Sequence, residues 1–454
     1  MSLSVENGTL LLEQNSEFAA VRGSVLVQGR HIKRVLRGRH DWGAERPVRR
    51  IDASGLVVIP GLVNAHVHSY GMALKGAVDG YRLERWIQRM EPIRRRLTPR
   101  ECYLATLAGC AQSLRSGTTT ALEHIATGPE TWDAVVDAYT DAGMRVIVAP
   151  QVSDLHYDES DISAAPSGSP EGAEEGARRI VAEVEAFVDR WHDRAGRIAV
   201  MVGPSAPTRC SEPLLRELIH VALRRGVGLH THLFETRTQR AIADRRWGSP
   251  IERLCEIGML GSRVICAHGV FLSEKEIKAM AARGVALAYN PFSNLVLGSG
   301  IAPLRSFLRC GMAVGLGTDG AATGGSQNLF QSLRLAVALP RVDEPDESLW
   351  PSTSSIFSMA TSLGGRAVGL GGAIGAIAEG HLADLVLLRR GSGSFTPMHD
   401  IVAQLVLCEG GESVDTVIVD GRICVEGGRC TLFSEEDVLL ELGDRLEKWG
   451  GKHA

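Results

Sequence analysis

Between about Gly61 and Leu370 the chain alternates short, β-branched apolar runs with stretches of helical period. The runs are TTTALEH, RVIVAP, IAVMVGP, GVGLHTH, RVICAHG, VALAYNP and AVGLGTDG. Between them, SEPLLRELIHVALRRG and SEKEIKAMAARG repeat apolar residues every three to four positions. Strands alternating with helices at this rhythm imply βα units around a parallel sheet. Adding the run that leads into NAHVH makes about eight strands, the number of a (β/α)8 barrel. The chain ends read differently. SVLVQGRHIKRVL and GLVVIPG before the barrel, and LADLVLL and TVIVDGRICVEGG after it, are short strands separated by turns. The expectation is an α/β protein: a (β/α)8 TIM barrel over residues 59–371, a small β-sandwich formed from both chain ends (1–58 with 372–431), and a C-terminal helix within 432–454, near Glu435 to Trp449.

Composition narrows the class. With 454 residues the chain exceeds the roughly 250–300 at which one hydrophobic core stops growing, so a large barrel with an accessory unit fits. A content of 44% apolar and 22% charged residues is that of a globular protein. The net charge of -4 supplies no field for nucleic acid or anionic lipid, so the expected partners are small molecules. The charge-free runs Ala53 to Leu74 and Val285 to Leu304 are interrupted by Pro60, Asn64, His66 and His68 and by Asn290, Pro291 and Asn294, and neither reads as a bilayer span. MSLSVENGTLLLEQ lacks a basic start followed by an apolar stretch, so the cytoplasm is the expected location. Nine cysteines without a Cys-x-x-Cys pair argue against both a disulfide framework and a thiolate metal site. The segment 158–176 is acidic and rich in Ser, Gly and Pro, which reads as a surface loop and a candidate lid.

In a barrel of this kind the chemistry sits at the carboxyl ends of the strands. Four of the runs end in ionisable residues: His66-Val67-His68, His230-Thr231-His232, His268 and Asp319. With 14 histidines in the chain, chance supplies about 0.4 His-x-His pairs, and two are present. On an extended strand i and i+2 share a face, so His66 and His68 can both turn to one ion, for which neutral imidazole is a preferred ligand.

These segments resemble the amidohydrolase superfamily, in its branch of mononuclear nucleobase and triazine deaminases and hydrolases. The resemblance spans nearly the whole chain: PGLVNAHVHS, SGTTT, HTHLFET, CAHGVFL, NPFSNLVLGSGIAPL, LGTDGAA and GAIAEGHLADLVLL. It implies that His66, His68, His232 and Asp319 hold one divalent ion, zinc or iron, and that Glu235 is the proton shuttle. It implies that His268 contacts the activated water, so that Glu235, His268 and Asp319 carry the catalysis. His230 would lie one layer deeper, in a packing role. The implied reaction is hydrolytic deamination of an amino-substituted aromatic N-heterocycle, releasing ammonia. Alternatives within the same site are a triazine-type dechlorinating or dealkylaminating hydrolase and a cyclic amide hydrolase. The latter usually bridges two metals with a lysine, and no lysine lies between Lys75 and Lys275. A non-catalytic scaffold has no reason to keep such a constellation in a packed core.

For substrate contacts, Glu84 and Trp86 match positions that serve the nucleoside in adenosine-type deaminases. Ser205 stands where those enzymes place a histidine, which favours a nucleobase, pterin or triazine over adenosine derivatives. Arg209 is a candidate for the substrate's polar groups. The arginines from Arg82 to Arg100 read as a solvated helix face, and Asn290, Ser293 and Asn294 are explained by turn formation as well as by a site role. The resemblance also makes a homo-oligomer an expectation.

Overall fold

The computed structural model describes residues 2–14, 17–38, 42, 47–157, 173–342 and 344–449, the side chains of 173 and 174 excepted. The lid expectation for 158–176 therefore falls largely outside the described residues. Eight positions around a closed parallel barrel are filled in chain order by Leu62–His68, Thr118–Ile125, Arg145–Val152, Ile198–Pro204, Gly228–Leu233, Val264–His268, Ala286–Tyr289 and a split eighth strand. Residues such as those of Leu62–His68 and Thr118–Ile125 are buried throughout, because helices cover the outer face and the barrel interior fills the other.

The eighth strand is broken where the barrel closes. Val314–Leu316 pairs with Ala286–Tyr289, and after Gly317 and Thr318 the two residues Asp319–Gly320 pair with the first strand, placing Asp319 opposite Val67. Gly317 permits this jog, since a Cβ there would lie 2.0 Å from Asn290 Oδ1. Asn64 clasps the seam, donating to Thr318 Oγ1 at 2.8 Å and accepting from Thr318 N at 3.2 Å.

The two chain ends meet in one nine-stranded sheet. Its order runs Arg429–Cys430, Arg422–Glu426, Val414–Val419, Leu385–Arg389, Leu56–Pro60, Ser2–Gln14, Glu17–Gln28 and His31–Arg37, with Arg49–Asp52 alongside Ser2–Gln14. The sheet doubles over a core that includes Val5, Leu10, Val25, Val58, Leu385 and Ile418. Backbone bonds from Ala383 N to Arg30 O and from Gly421 N to Ala383 O hold its far ends together. The C-terminal helix covers Glu435–Glu447 and packs on the helix Pro99–Arg115, where Arg100 pairs with Glu441. No helix among the described residues is long and apolar enough to cross a membrane.

A buried ion network joins the barrel to this sheet. At the start of the third strand Arg145 Nη2 reaches Asp384 Oδ1 at 3.2 Å and Asp420 Oδ1 at 3.0 Å, with all three side chains 4% exposed or less. Arg145→Met leaves the Asp384 carboxylate without its cation in a buried interface, while Asp420 keeps Arg30 Nε at 2.8 Å. The expected loss is about 3–5 kcal/mol in denaturant unfolding, and a loss below about 1 kcal/mol would show that the pairing carries no buried charge.

Candidate active site

The strand ends converge as the sequence suggests. His66 and His68 come from the first strand, His232 from the fifth, His268 from the sixth and Asp319 from the closing segment. His66 Nε2 and His68 Nε2 stand 3.6 and 3.5 Å from Asp319 Oδ1, and His68 Nε2 is 3.2 Å from His232 Nε2. His268 Nε2 lies 3.9 Å from Asp319 Oδ2 and 3.6 Å from Glu235 Oε2. All these residues are buried or nearly so.

Each imidazole is held by its other nitrogen. His68 Nδ1 donates to His124 O at 2.6 Å, His232 Nδ1 to Ser205 O at 2.6 Å, and His268 Nδ1 to Asn294 Oδ1 at 2.8 Å. His66 Nδ1 faces His230 Nε2 at 2.8 Å, and His230 Nδ1 in turn donates to Ile265 O at 3.0 Å, which leaves His230 Nε2 to accept from His66. With every Nδ1 occupied as a donor, the Nε2 atoms present bare lone pairs to a common point. His66 Nε2 is fully buried without a partner among the described residues. Two bare lone pairs facing each other at 3.2 Å repel unless a cation lies between them, and that separation is what two zinc–nitrogen arms of about 2.0–2.1 Å span. The donor set of neutral imidazoles and one carboxylate thus fits a divalent metal ion.

The electrostatics agree. Burial, opposed only in part by Asp319, lowers His66 to about 4, and burial together with neighbouring imidazoles pushes His232 and His230 well below the usual histidine value, so the rings are held in the neutral form that could bind a metal. Burial works to raise Asp319, but the histidines around it, His66 first, then His68 and His268, hold it well below the ordinary carboxylate range. Glu235 is pushed well above that range by burial, then by the charges of Asp319 and Glu84. Its Oε1 has no partner among the described residues.

The backbone is strained where these groups are presented. Phe234, His268 and Asp319 take φ of 45°, 75° and 61°, a left-handed region that costs a non-glycine residue of order 1 kcal/mol or more and that clusters at functional sites. The seventh-strand loop supports two of them. Ser293 donates its hydroxyl to Asp319 Oδ2 and Asn294 takes the His268 proton, so these loop residues position the centre in addition to opening the helix Pro291–Val296. His230, read from sequence as packing, is the hydrogen-bond partner of His66.

Two contributors escaped the sequence reading. His124 ends the second strand, fully buried, stacked 4.8 Å from the His232 ring and close enough to group with His66, His68 and His232. The available signal was that TTTALEH, like the runs that reach His68, His232 and His268, ends in a histidine. Gln151, on the third strand, faces the same cavity.

That cavity has a volume of about 80 Å³. Leu83, Trp86, Met90 and Leu297 form its apolar wall, with Gln151, Ser205, Arg209 and Gln239 as polar groups, Glu91 and Arg94 beside them, and Glu235 next to His268 at the floor. Trp86, Ser205 and Arg209 therefore line it. Glu84 does not: it sits behind the wall, its carboxylate taken by the hydroxyl of Thr236, the N-cap of the helix Arg237–Trp247. Of the arginine-rich helix Leu83–Arg94, Arg94 pairs with Glu91 and faces the cavity, while Arg89 stacks on Tyr81.

Comparison with known proteins places this geometry among relatives. The amidohydrolase family model matches residues 57–424. A 5-methylthioadenosine/S-adenosylhomocysteine deaminase of Desulforudis audaxviator is 37% identical over 86% of each chain. A 5'-deoxyadenosine deaminase of Methanothermobacter thermautotrophicus is 35% identical over 93% of each. Among solved structures, atrazine chlorohydrolase from Arthrobacter aurescens complexed with zinc superposes with a TM-score of 0.88 at 25% identity, over 98% of this chain and 100% of its own. An adenosine deaminase from Xanthomonas campestris with bound zinc gives 0.86 at 26% identity, over 98% of each.

Proposed function

The chain belongs to the amidohydrolase family, and from that premise we propose that His66, His68, His232 and Asp319 hold one divalent cation, zinc in first place, while Glu235 and His268 act on the water and on the ring it attacks. The enzyme is a hydrolytic deaminase of N-heterocycles, a hydrolase of C–N bonds. The observation that carries the assignment of the four ligands is the pair of Nε2 lone pairs of His68 and His232 facing each other at 3.2 Å beside the Asp319 carboxylate.

A cation in that position supplies Lewis acidity that brings the pKa of water from 15.7 toward about 7. Asp319, held as an anion, accepts the proton that the water sheds. His268, pinned through Asn294, keeps its Nε2 between Glu235 and Asp319 and orients the attacking oxygen. Glu235, whose burial favours its protonated form, delivers its proton to a ring nitrogen, where it stays as the lactam N–H; the proton held by Asp319 then passes to the departing amine, and the hydroxyl proton of the intermediate returns to Glu235. A C–O bond forms, the exocyclic C–N bond breaks, and the products are a lactam and ammonia. The apolar wall around Trp86 holds the flat ring, and exclusion of bulk water strengthens each of these charge contacts.

Ammonia release measured across purines, pterins, pyrimidines, triazines and adenosine-type nucleosides tests reaction and substrate together. The expected result is turnover of at least one class with kcat/KM of about 10⁴ M⁻¹s⁻¹ or more. The nucleosides belong in the screen because of the relatives' names, although Ser205 speaks for a free base. The likeness to atrazine chlorohydrolase supports a second reading, in which a triazine loses chloride or an alkylamine. Release of those groups without ammonia would replace the deaminase reading by that one.

A further inference from the structure

One wall of the cavity holds polar capacity that the deamination steps leave unused. Ser205 Oγ accepts from Gln151 Nε2 at 2.9 Å and from Arg209 Nη1 at 3.3 Å. A hydroxyl that accepts twice keeps its own proton to donate. The second amide atom of Gln151, Oε1, and the Nε of Arg209 are buried and have no partner among the described residues. The Arg209 guanidinium stacks 5.6 Å from the Tyr157 ring centroid, and no carboxylate among the described residues pairs with it. All three side chains line the cavity. Buried polar atoms left without partners are costly, and in a binding cavity their natural partner is the ligand.

The position of this cluster says which part of the ligand it meets. The backbone carbonyl of Ser205 accepts from both the Nδ1 and the backbone N–H of His232, at 2.6 and 3.1 Å, so its side chain lies one residue away from the reacting centre. A group bonded at that point, beside the His232 backbone, belongs to the heterocycle whose carbon reacts. A bare ring nitrogen accepts one hydrogen bond and would leave the remaining donors desolvated. A ring carbonyl has two lone pairs for the Ser205 hydroxyl and the guanidinium, and the adjacent ring N–H answers Gln151 Oε1.

We infer that Gln151, Ser205 and Arg209 form a lactam-reading subsite, so that the substrate is an amino-substituted heterocycle that already carries a ring carbonyl beside a ring N–H. The inference rests on the deaminase reading for its reaction, but the subsite is a matter of binding. Oxo-purines, pterins and oxo-pyrimidines bearing an amine fit it, whereas an adenine ring, which has no carbonyl, does not.

The test uses matched pairs that differ at the carbonyl: guanine against 2-aminopurine, and isocytosine against 2-aminopyrimidine. Each is followed by ammonia release and by the ligand-induced shift in melting temperature of the metal-loaded protein. The wild type should favour the lactam member by about 10² or more in kcat/KM and should be stabilised by it alone, because a site built to hydrogen-bond a group rejects the analogue that lacks it. Arg209→Met, Ser205→Ala and Gln151→Leu should each shrink that preference at least tenfold, mainly through KM, with Arg209→Lys restoring part of it. Equal turnover and equal stabilisation by both members of a pair, or a preference that survives Arg209→Met and Ser205→Ala, would overturn the subsite while leaving the deaminase intact. Lactam binding without ammonia from any compound would uphold the subsite and reject the reaction.

Discussion

Glu235→Gln should cut turnover by about 10²–10⁴-fold while the protein keeps its fold and its metal. The carboxyl group faces the cavity with Oε2 3.6 Å from His268 Nε2 and with Oε1 unpartnered among the described residues, so no contact that holds the fold depends on its charge. Glutamine has the same shape. It also relieves the like-charge pressure of Asp319 and Glu84 on a buried acid, which makes unchanged or slightly higher thermal stability the expected outcome. What the amide cannot do is give a proton to the ring nitrogen and take one back from the intermediate's hydroxyl. General acid–base transfer of this kind contributes about 10²–10⁴-fold, so kcat/KM should fall by that factor at constant zinc content and constant melting temperature. Ammonia release together with elemental analysis of the purified variant decides it. Activity within tenfold of wild type would remove Glu235 from the shuttle role, and a fall in bound metal would assign it to the ligands instead.

The ease of choosing Glu235 shows what was legible in the chain. Local periodicity exposes the strand ends, because the i, i+2 alternation of an extended segment is written in the pattern itself, and His66, His68, His232, His268 and Asp319 stand at such ends. Residues recruited across the barrel are another matter. Ser293 and Asn294 sit in a loop whose composition is explained by its turns, and their bonds to Asp319 and His268 exist only once the seventh and eighth positions of the barrel have been brought side by side. Gln151 belongs with them, since its partner Ser205 is 54 residues away. Glu84 illustrates the converse. Its place in the helix matches a substrate-contacting position, but its carboxylate accepts from the hydroxyl of Thr236, an N-cap, while Trp86 lines the wall with Leu83 and Met90. The break in the eighth strand was invisible in AVGLGTDG because it arises from the close pass of Gly317 beside Asn290, a contact between separate strands.

Asp319→Asn should lose both activity and metal, and the break in that strand makes asparagine the informative replacement. The residue holds a φ of 61°, which alanine or leucine would adopt only with strain, whereas asparagine tolerates the left-handed region as well as aspartate does. The backbone cost is thereby kept nearly constant: with the amide oxygen in the Oδ1 position the Gly320 N–H, which donates at 2.7 Å, keeps its acceptor, and the Ser293 hydroxyl, now beside the amide NH2, turns to accept. The change is confined to one negative charge and one lone-pair set facing His66, His68 and His268. Without that charge His66, His68 and His232 present only neutral donors to a divalent ion. Altering a hydrogen-bonded partner of a ligand typically costs 10–100-fold in affinity, so loss of a ligand should cost at least that much. His230→Phe supplies the scale: it removes the acceptor that holds the His66 ring but no ligand, and should fall within the 10–100-fold range for metal while retaining measurable turnover at saturating zinc. Asp319→Asn should fall further and should not be rescued by zinc, since it also removes the acceptor for the water proton. Zinc titrations of the metal-stripped proteins read the affinities, and ammonia release at each zinc concentration reads the rescue. Full recovery of Asp319→Asn by added metal would show that the carboxylate only helps to bind the ion and that another group takes the proton.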